Sequence, residues 1–306
     1  MMVGSALILL VVVIPLVAAW MIGSGSPTRW VRVSVDQYHW SALRSARRRG
    51  LISIAVAAGA FLLALTSAGT GLGLGAALAP SVAVTAGLLV YAATPAAGKR
   101  VGTVRTASLE PRRWWSFVPP GPALLWGVAA VLLVGSVIWF GNTAVPDSFG
   151  LSRAFGRADG VGGSATAGPY PGWYYGVPIA IGALVLAVVT AVGIWRVSLW
   201  PALPGPTLEA ADSRWRSRSC EVVLLLSAGS LWAQLAGIWF MGGQAIRSVA
   251  WSLSDPGSRL VAVGSVVALL GTLAALLTAV MVGAAIRRAL ALPAASLGTL
   301  VTDDHS

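Results

Sequence analysis

Long apolar stretches alternating with short basic segments dominate the pattern of this chain. Six intervals contain no Asp, Glu, Lys, Arg or His: Met1–Thr28, Gly50–Gly98, Trp114–Pro146, Gly160–Trp195, Val222–Ile246 and Leu260–Ile286. A helix needs about 20 apolar residues to cross the roughly 30 Å hydrocarbon core of a bilayer. Each interval is therefore long enough for one membrane-spanning helix, and Gly50–Gly98 is long enough for two.

A glycine-rich stretch divides that longest interval. In Gly69–Gly75 every second residue is glycine, which weakens a helix strongly and predicts a tight turn between two spans. Backbone amides in lipid must be satisfied within their own segment, so all the spans are predicted to be helices. The sequence thus predicts an all-α, polytopic membrane helix bundle with seven transmembrane helices. The predicted spans lie near Ser5–Ile22, Leu51–Ala68, Ala76–Ala93, Ala123–Phe140, Val177–Trp195, Val222–Met241 and Leu260–Ile286, and residues 1–306 form a single integral membrane domain.

The composition excludes a soluble globule. Hydrophobic residues make up 57% of the 306 residues and charged residues only 10%, whereas a soluble domain has about 25% charged residues. Too little polar surface remains to cover that much apolar side chain in water. The single cysteine, Cys220, excludes an internal disulfide and a cysteine-rich metal site.

The distribution of basic residues predicts the orientation. Most of the 21 Lys and Arg residues follow the first, third, fifth and seventh spans, and the opposite side has only Arg153, Arg157, Arg247 and Arg259. The positive-inside rule then places the N-terminus outside and the C-terminus inside, in the bacterial cytoplasmic (plasma) membrane. No Lys or Arg precedes Arg29, so the first span is interpreted as an uncleaved anchor rather than a signal peptide.

One cytoplasmic segment contains a cluster of arginines. Asp36–Arg49 is predicted to form a short interfacial helix, in which Arg44, Arg47, Arg48 and Arg49 are candidate contacts with anionic lipid headgroups. The alternative is a charge cluster that only sets the topology. The net charge of +11 is likewise explained by basic residues that set the topology. No nucleic-acid binding is predicted, because no basic domain stands apart from the spans.

The longest exposed interval is Gly141–Trp173. Its Gly, Ser and Ala content predicts a mobile extracellular loop, a flexible connector, with contact of Phe149, Leu151 and Phe155 to the membrane or a partner as the alternative. Exposed segments this short do not bury a core of their own. The chain therefore has no built-in ATPase, and any energy coupling requires a partner subunit or an ion gradient.

Two polar residues are candidate membrane positions. Glu221 is predicted to lie in the first turn of the sixth span, where the helix dipole and Arg218 favour a carboxylate, with a proton- or substrate-linked role as the alternative. Gln234 is predicted near the middle of that span. Its amide favours an interhelical hydrogen bond, and the alternative is a side chain that lines a pore or ligand site.

Residues for catalysis are sparse. The two histidines are His39 and His305, and the sequence contains neither an HExxH metal motif nor a GxSxG nucleophile elbow. We therefore predict no enzyme activity, no catalytic residue, no cofactor and no metal.

The segment Arg105–Arg113, with the sequence RTASLEPRR, lies between the third and fourth spans. In an Arg-, Ala- and Gly-rich chain with almost no Lys, this segment resembles uncharacterised multi-span membrane proteins of high-GC actinobacteria. Such proteins are often encoded near regulators or transporter ATPases. The resemblance implies a transport or envelope context and transfers no active-site residue.

Three functions remain open. The leading hypothesis is an accessory or interaction subunit of a membrane transport complex, with a membrane protein partner or a separate ATPase. The first alternative is a permease for a hydrophobic or amphiphilic compound that works with a separate ATPase. The second is a membrane enzyme on lipid-linked substrates, which requires polar residues to converge near the cytoplasmic interface: His39, Glu110, Arg112 and Glu221.

Overall fold

The computed structural model describes residues 37–69, 71–94, 114–158, 164–200, 209–253 and 258–297. Six long helices account for most of these residues. They are α1 (Gln37–Thr66), α2 (Leu74–Ala93), α3 (Pro120–Thr143), α4 (Trp173–Ser198), α5 (Glu209–Ser252) and α6 (Ser258–Leu297).

All six helices of the described part are long and apolar enough to cross a membrane. Each coincides with one of the last six predicted spans, which confirms the helical, multi-span character of this part of the chain. The first predicted span, Ser5–Ile22, lies outside the described residues. The count of seven spans and the outside location of the N-terminus therefore stay predictions.

Helix α1 differs from its prediction at its start. Asp36–Arg49 was expected to form a separate interfacial helix, but residues from Gln37 onward continue without a break into the apolar span. Gly50 lies at the junction of the two predicted segments, where α1 approaches α6. A Cβ added there would lie 3.3 Å from the Ala289 Cβ, so the glycine serves close helix packing rather than a turn.

The glycine-rich stretch between α1 and α2 is a turn, as predicted. Two short 3₁₀ segments, Ser67–Gly69 and Gly71–Gly73, replace the helix there. Gly71, Leu72 and Gly73 have φ angles of +59°, +56° and +90°. This left-handed backbone costs glycine little, which is why the chain can reverse here.

The interval Gly141–Trp173 contains a small sheet, so the fold is not purely α. Strands β1 (Val145–Pro146), β2 (Ser152–Ala158) and β3 (Ser164–Ala167) pair antiparallel in the order β1-β2-β3. Within the sheet Val145 lies opposite Ala154, and Phe155 opposite Ala167. The composition predicted only a flexible connector, because the strands are short and consist mostly of small residues. Their pairing satisfies the backbone, and the ring of Phe155 packs 5.3 Å from that of Tyr170.

Helix α5 lies at the centre of the bundle. In its apolar stretch 78% of the residues are buried, against 17% in α1 and 33% in α4. It packs against α6 along their length and also contacts α2, α3 and α4. The outward faces of the other helices carry exposed large apolar side chains, as lipid-facing surfaces do, among them Leu63, Val131, Leu184 and Val280.

The arginines segregate between the two ends of the bundle. The basic end is the one that contains Arg49, Arg196, Arg216 and Arg288, and the sheet end contains the β-sheet and the glycine-rich turn. Described arginines that were predicted to be cytoplasmic lie at the basic end, because consecutive helices cross in alternating directions.

Candidate functional site

Arg216 connects two helices at the basic end. Helix α5 begins at Glu209, so Arg216 lies near its start, beside the last turn of α4. Its side chain is fully buried. Its Nη1 donates to the carbonyl oxygens of Val197 and Ser198 at 2.8 and 3.1 Å, and Nη2 donates to that of Trp200 at 2.8 Å.

The remaining side of the Arg216 guanidinium meets a carboxylate. Nε and Nη2 donate to the two oxygens of Asp212 at 2.8 and 3.3 Å. A cation at the C-terminus of α4 is favoured by the helix dipole, and the paired carboxylate balances its charge. Because its donors are occupied in this way, Arg216 is a structural clamp between α4 and α5.

Arg49 also lies at the basic end, but its guanidinium has different surroundings from that of Arg216. It is only 3% exposed, and its guanidinium carbon lies 4.0 Å from the ring centre of Trp200. Its Nε, Nη1 and Nη2 atoms are buried and have no hydrogen-bond partner among the described residues. The cation–π contact with Trp200 is worth up to about 2 kcal/mol when desolvated, but it provides no acceptor for the N–H groups.

An aromatic cluster surrounds these two arginines. The ring of Trp200 stacks on that of Trp215, with centres 5.1 Å apart and an interplanar angle of 29°. The ring of Tyr91 lies 6.0 Å from Trp200 on another side. We refer to Arg49, Tyr91, Trp200 and Trp215 as the Arg49 cluster.

The four arginines that are candidate headgroup contacts differ in their exposure. Arg47 and Arg48 are exposed at the start of the apolar part of α1. Arg49 is buried and faces Trp200, unlike its two exposed neighbours, and its role as a headgroup contact stays a prediction. Successive residues of a helix are rotated by about 100°, and only one of the three neighbours faces Trp200. The side chain of Arg44 lies outside the described part.

Glu221 is not at a helix start. Helix α5 begins at Glu209, so the expectation of a first-turn position is wrong, and the helix dipole at an N-terminus does not explain this carboxylate. The Glu221 carboxylate instead lies 2.9 Å from Nη1 of Arg218 on its own helix and 3.2 Å from Nε of Arg288 on α6. It ties α5 to α6 at the basic end.

Gln234 lies in the middle of α5 and is buried. Its Nε2 donates a hydrogen bond to Oγ of Ser81 on α2. Its Oε1 has no partner among the described residues, and neither does the buried Oγ of Ser230 one turn earlier. The structure therefore places Gln234 at a helix–helix contact, with acceptor capacity left over on the same face of α5.

Two tryptophan hydrogen bonds, which the sequence analysis missed, join the central helix α5 to α3. The indole N–H of Trp126 donates to Oγ of Ser227 at 2.8 Å, and that of Trp239 donates to Oγ of Ser136 at 2.9 Å. The Thr190 hydroxyl lies 2.7 Å from the same Ser227 oxygen. A buried indole N–H needs a hydrogen-bond acceptor, so the sequence could indicate that such bonds form. It does not identify which serine accepts them.

A second polar group lies at the sheet end. The Asp147 carboxylate accepts hydrogen bonds from the backbone amides of Phe149 and Leu151 at 2.8 and 3.0 Å, and from Nε of Arg153. Burial alone would raise the pKa of Asp147. The hydrogen bonds from Leu151, Phe149 and Arg153 outweigh that effect and lower the pKa below its ordinary value.

The polar group around Asp147 is also connected to the turn between α1 and α2. Hydrogen bonds to Asp147 and then to Tyr175 raise the pKa of Arg153, which stays charged. The Tyr175 hydroxyl donates to the carbonyl oxygen of Leu72 at 2.5 Å, and that of Tyr174 donates to Gly71 at 3.0 Å. The sheet is therefore connected to the glycine-rich turn through α4.

The residues required for a membrane enzyme are not assembled by the described part. Glu110, Arg112 and the side chain of His39 lie outside it. Among the described residues no group of three or more His, Cys, Asp or Glu side chains is arranged to hold a metal ion. Cys220 is a buried free thiol in α5.

Comparison with protein-family models, with curated proteins and with solved structures finds no match for this chain.

Proposed function

We propose that this chain is an accessory or interaction subunit of a membrane transport complex in the bacterial cytoplasmic membrane, without catalytic activity of its own. In this role it is a preassembled helical scaffold that a membrane protein partner or a separate ATPase binds. Its N-terminus is outside and its C-terminus inside. Arg47 and Arg48, exposed at the basic end, contact anionic lipid headgroups.

The observation that supports this proposal is the use of the polar groups of α5. Side chains of this central helix bind α2, α3 and α4 through three interhelical hydrogen-bond groups: Gln234 with Ser81, Trp239 with Ser136, and Ser227 with Trp126 and Thr190. Each such bond contributes about 0.6 to 2 kcal/mol in a membrane. A helix held on three sides in this way suits a static scaffold better than a moving gate.

Close contact between α5 and α6 supports the same conclusion. A Cβ added to Gly271 would lie 2.5 Å from the Phe240 amide nitrogen, and one added to Gly243 would lie 2.4 Å from that of Ala268. Helices that approach this closely are held by extensive van der Waals contact. Sliding or separating α5 and α6 would remove that van der Waals contact.

Purification from native membranes tests the proposal. The tagged chain is extracted with a mild detergent after chemical crosslinking in cells, and co-purifying proteins are quantified by mass spectrometry. We expect one membrane protein or ATPase in a fixed stoichiometric ratio, absent when an unrelated multi-span protein has the same tag. A chain that is recovered as a crosslink-free monomer from native membranes contradicts the proposal.

A permease for a hydrophobic or amphiphilic compound is the second candidate. It is favoured by one observation: Oε1 of Gln234 and Oγ of Ser230 lie one helical turn apart, are buried, and have no partner among the described residues. Residues at this spacing share a helix face, as the lining of a substrate path does.

Cysteine labelling separates the two candidates. In a Cys220→Ser background, Ser230→Cys is treated with a small water-soluble maleimide, and Ser148→Cys, exposed beside the sheet, is the positive control. A permease with a water-accessible path predicts reaction at both positions. The scaffold predicts reaction at position 148 only.

A further inference from the structure

Two members of the Arg49 cluster have buried nitrogens without a hydrogen-bond partner among the described residues, the Arg49 guanidinium and the Trp215 indole, and of these only the guanidinium is charged. The three nitrogens of Arg49 are buried and have no acceptor among the described residues, while Arg216, in the same aromatic environment, has at least five hydrogen bonds. The carbonyl oxygens at the end of α4 and the Asp212 carboxylate all face Arg216. Two arginines that share one neighbourhood thus differ in the acceptors available to them.

A buried guanidinium in this condition requires an anion. Desolvating a charge without a compensating partner costs several kcal/mol. Arginine remains protonated at any physiological pH, so it does not avoid this cost by losing its proton. An acceptor with at least two oxygens in a plane matches the fork of N–H groups better than a single carbonyl.

We infer that the Arg49 cluster binds a phosphate group, which Arg49 holds through its N–H fork while the ring of Trp200 supports the guanidinium from one face. The guanidinium carbon lies 4.0 Å from the centre of the Trp200 ring, and this contact restricts the side chain. A preorganised fork loses little entropy when it binds a tetrahedral oxyanion. This site is independent of the proposed function, because a scaffold and a permease can both contain it.

The charge of the basic end favours such an occupant. Arg47 and Arg48 precede Arg49 and are exposed, and Arg196 ends α4 nearby with its Nε 3.2 Å from the Ala92 carbonyl oxygen. A cluster of like positive charges raises the local concentration of anions. Lipid headgroups and soluble phosphates both offer the same oxyanion at this end of a membrane bundle.

Matched arginine variants test the inference. The full chain is purified in non-ionic detergent, and bound phosphate-containing molecules are measured by native mass spectrometry and by total phosphorus. The variants are Arg49→Gln, Arg49→Lys and, as the control with the same charge change on an exposed neighbour, Arg48→Gln. We expect the wild type and Arg48→Gln to retain one phosphate group per chain.

The expected losses have a definite order. Arg49→Gln lowers the affinity by about tenfold to a hundredfold, since hydrogen bonds to a charged group are lost. Arg49→Lys keeps the charge but not the fork, so it binds with intermediate affinity. Because Arg49→Lys retains a cation, it also serves as the readout if Arg49→Gln does not fold.

Separate additions identify the source of the phosphate. The thermal unfolding temperature of delipidated protein is measured with inorganic phosphate, with phosphatidylglycerol vesicles and with phosphatidylcholine vesicles. Arg49-dependent stabilisation by inorganic phosphate indicates a soluble ligand, and Arg49-dependent stabilisation by phosphatidylglycerol alone indicates a lipid. Either outcome supports the site.

Three results overturn the inference. One is equal loss of phosphate in Arg48→Gln and Arg49→Gln, which indicates general charge attraction. Another is the absence of both bound phosphate and Arg49-dependent stabilisation. The third is a coupling of Arg49 to a carboxylate of the chain, seen as non-additive loss of stability when Arg49→Gln is combined with Glu110→Gln or Glu209→Gln in delipidated protein.

Discussion

The indole N–H of Trp126 on α3 donates a 2.8 Å hydrogen bond to the hydroxyl of Ser227 on the central helix α5. Trp126 is only partly buried, although its N–H is bonded to the central helix. The same Ser227 oxygen lies 2.7 Å from the Thr190 hydroxyl of α4. Ser227 therefore joins three helices at one point.

Removing the Trp126 hydrogen bond is expected to weaken the bundle. Trp126→Phe deletes the N–H and keeps an aromatic ring, which costs about 1 kcal/mol in free energy of unfolding. Ser227→Ala removes the acceptor for the same bond, so the double variant loses less than the sum of the single variants. Unfolding in mixed micelles measures all three, and Trp251→Phe, at an exposed tryptophan, is the control. Strict additivity would contradict the bond.

The contact between α5 and α6 is expected to tolerate no added side chain at Gly271. Its built Cβ would lie 2.5 Å from the Phe240 amide nitrogen and 3.0 Å from the Ala236 carbonyl oxygen. Gly271→Ala therefore forces the helices apart and destabilises by about 1–3 kcal/mol, as overpacking does.

Gly237→Ala is the matched control for that substitution. A Cβ at Gly237 would meet nothing within 4 Å, so the variant is neutral or stabilises through helix propensity by up to about 1 kcal/mol. Thermal unfolding in detergent compares the two. Equal effects of both alanines would show that α5 and α6 are not in close contact at Gly271.

Arg216 is expected to be the most sensitive side chain at the basic end. Arg216→Met keeps a side chain of similar length but removes the Arg216 hydrogen bonds to Asp212 and to the end of α4, at a cost of about 3–5 kcal/mol. The exposed Arg214→Met has the same charge change and is expected to alter stability by less than about 0.5 kcal/mol. Denaturation midpoints and expression level provide the measurement. Similar losses in both variants would assign the effect to net charge.

The turn around Asp147 is expected to loosen in acid. The folded pKa of Asp147 is lowered from its ordinary value of 3.8, so the ionised carboxylate stabilises the turn above that value. This stabilisation is lost as the pH falls below 3.8 toward the folded pKa. Hydrogen exchange at the Phe149 and Leu151 amides, corrected for intrinsic rates, measures the effect. Asp147→Asn should exchange faster at neutral pH and show no such acid transition.

The topology proposed for the membrane is expected to place the two ends of the bundle in different compartments. In a Cys220→Ser background, Ser148→Cys at the sheet end reacts with an impermeant maleimide in intact cells. Ser213→Cys, exposed near the start of α5, reacts only after permeabilisation. The reverse pattern would invert the orientation, and labelling of both in intact cells would exclude a membrane-spanning arrangement of α5.

Six spans could be predicted from the chain because hydrophobicity along a segment depends only on the residues of that segment. The turn at Gly71 could be predicted for the same local reason. The true ends of the helices could not. Helix α5 continues from Val222 back to Glu209, and charged residues in this extension bind partners in α4 and α6: Arg216 binds the Ser198 carbonyl oxygen, and Glu221 binds Arg288.

The arrangement of the candidate site could be predicted from the sequence even less than the ends of the helices. The sequence predicted Arg47, Arg48 and Arg49 at one membrane boundary, and in the structure they lie where the apolar part of α1 begins. Which of them faces the protein was decided by the rotation of α1 about its axis and by Trp200, a residue far along the chain. Apolar length is a one-dimensional property, whereas the partner of a polar atom depends on which distant segments pack beside it, and only the folded bundle brings those segments together.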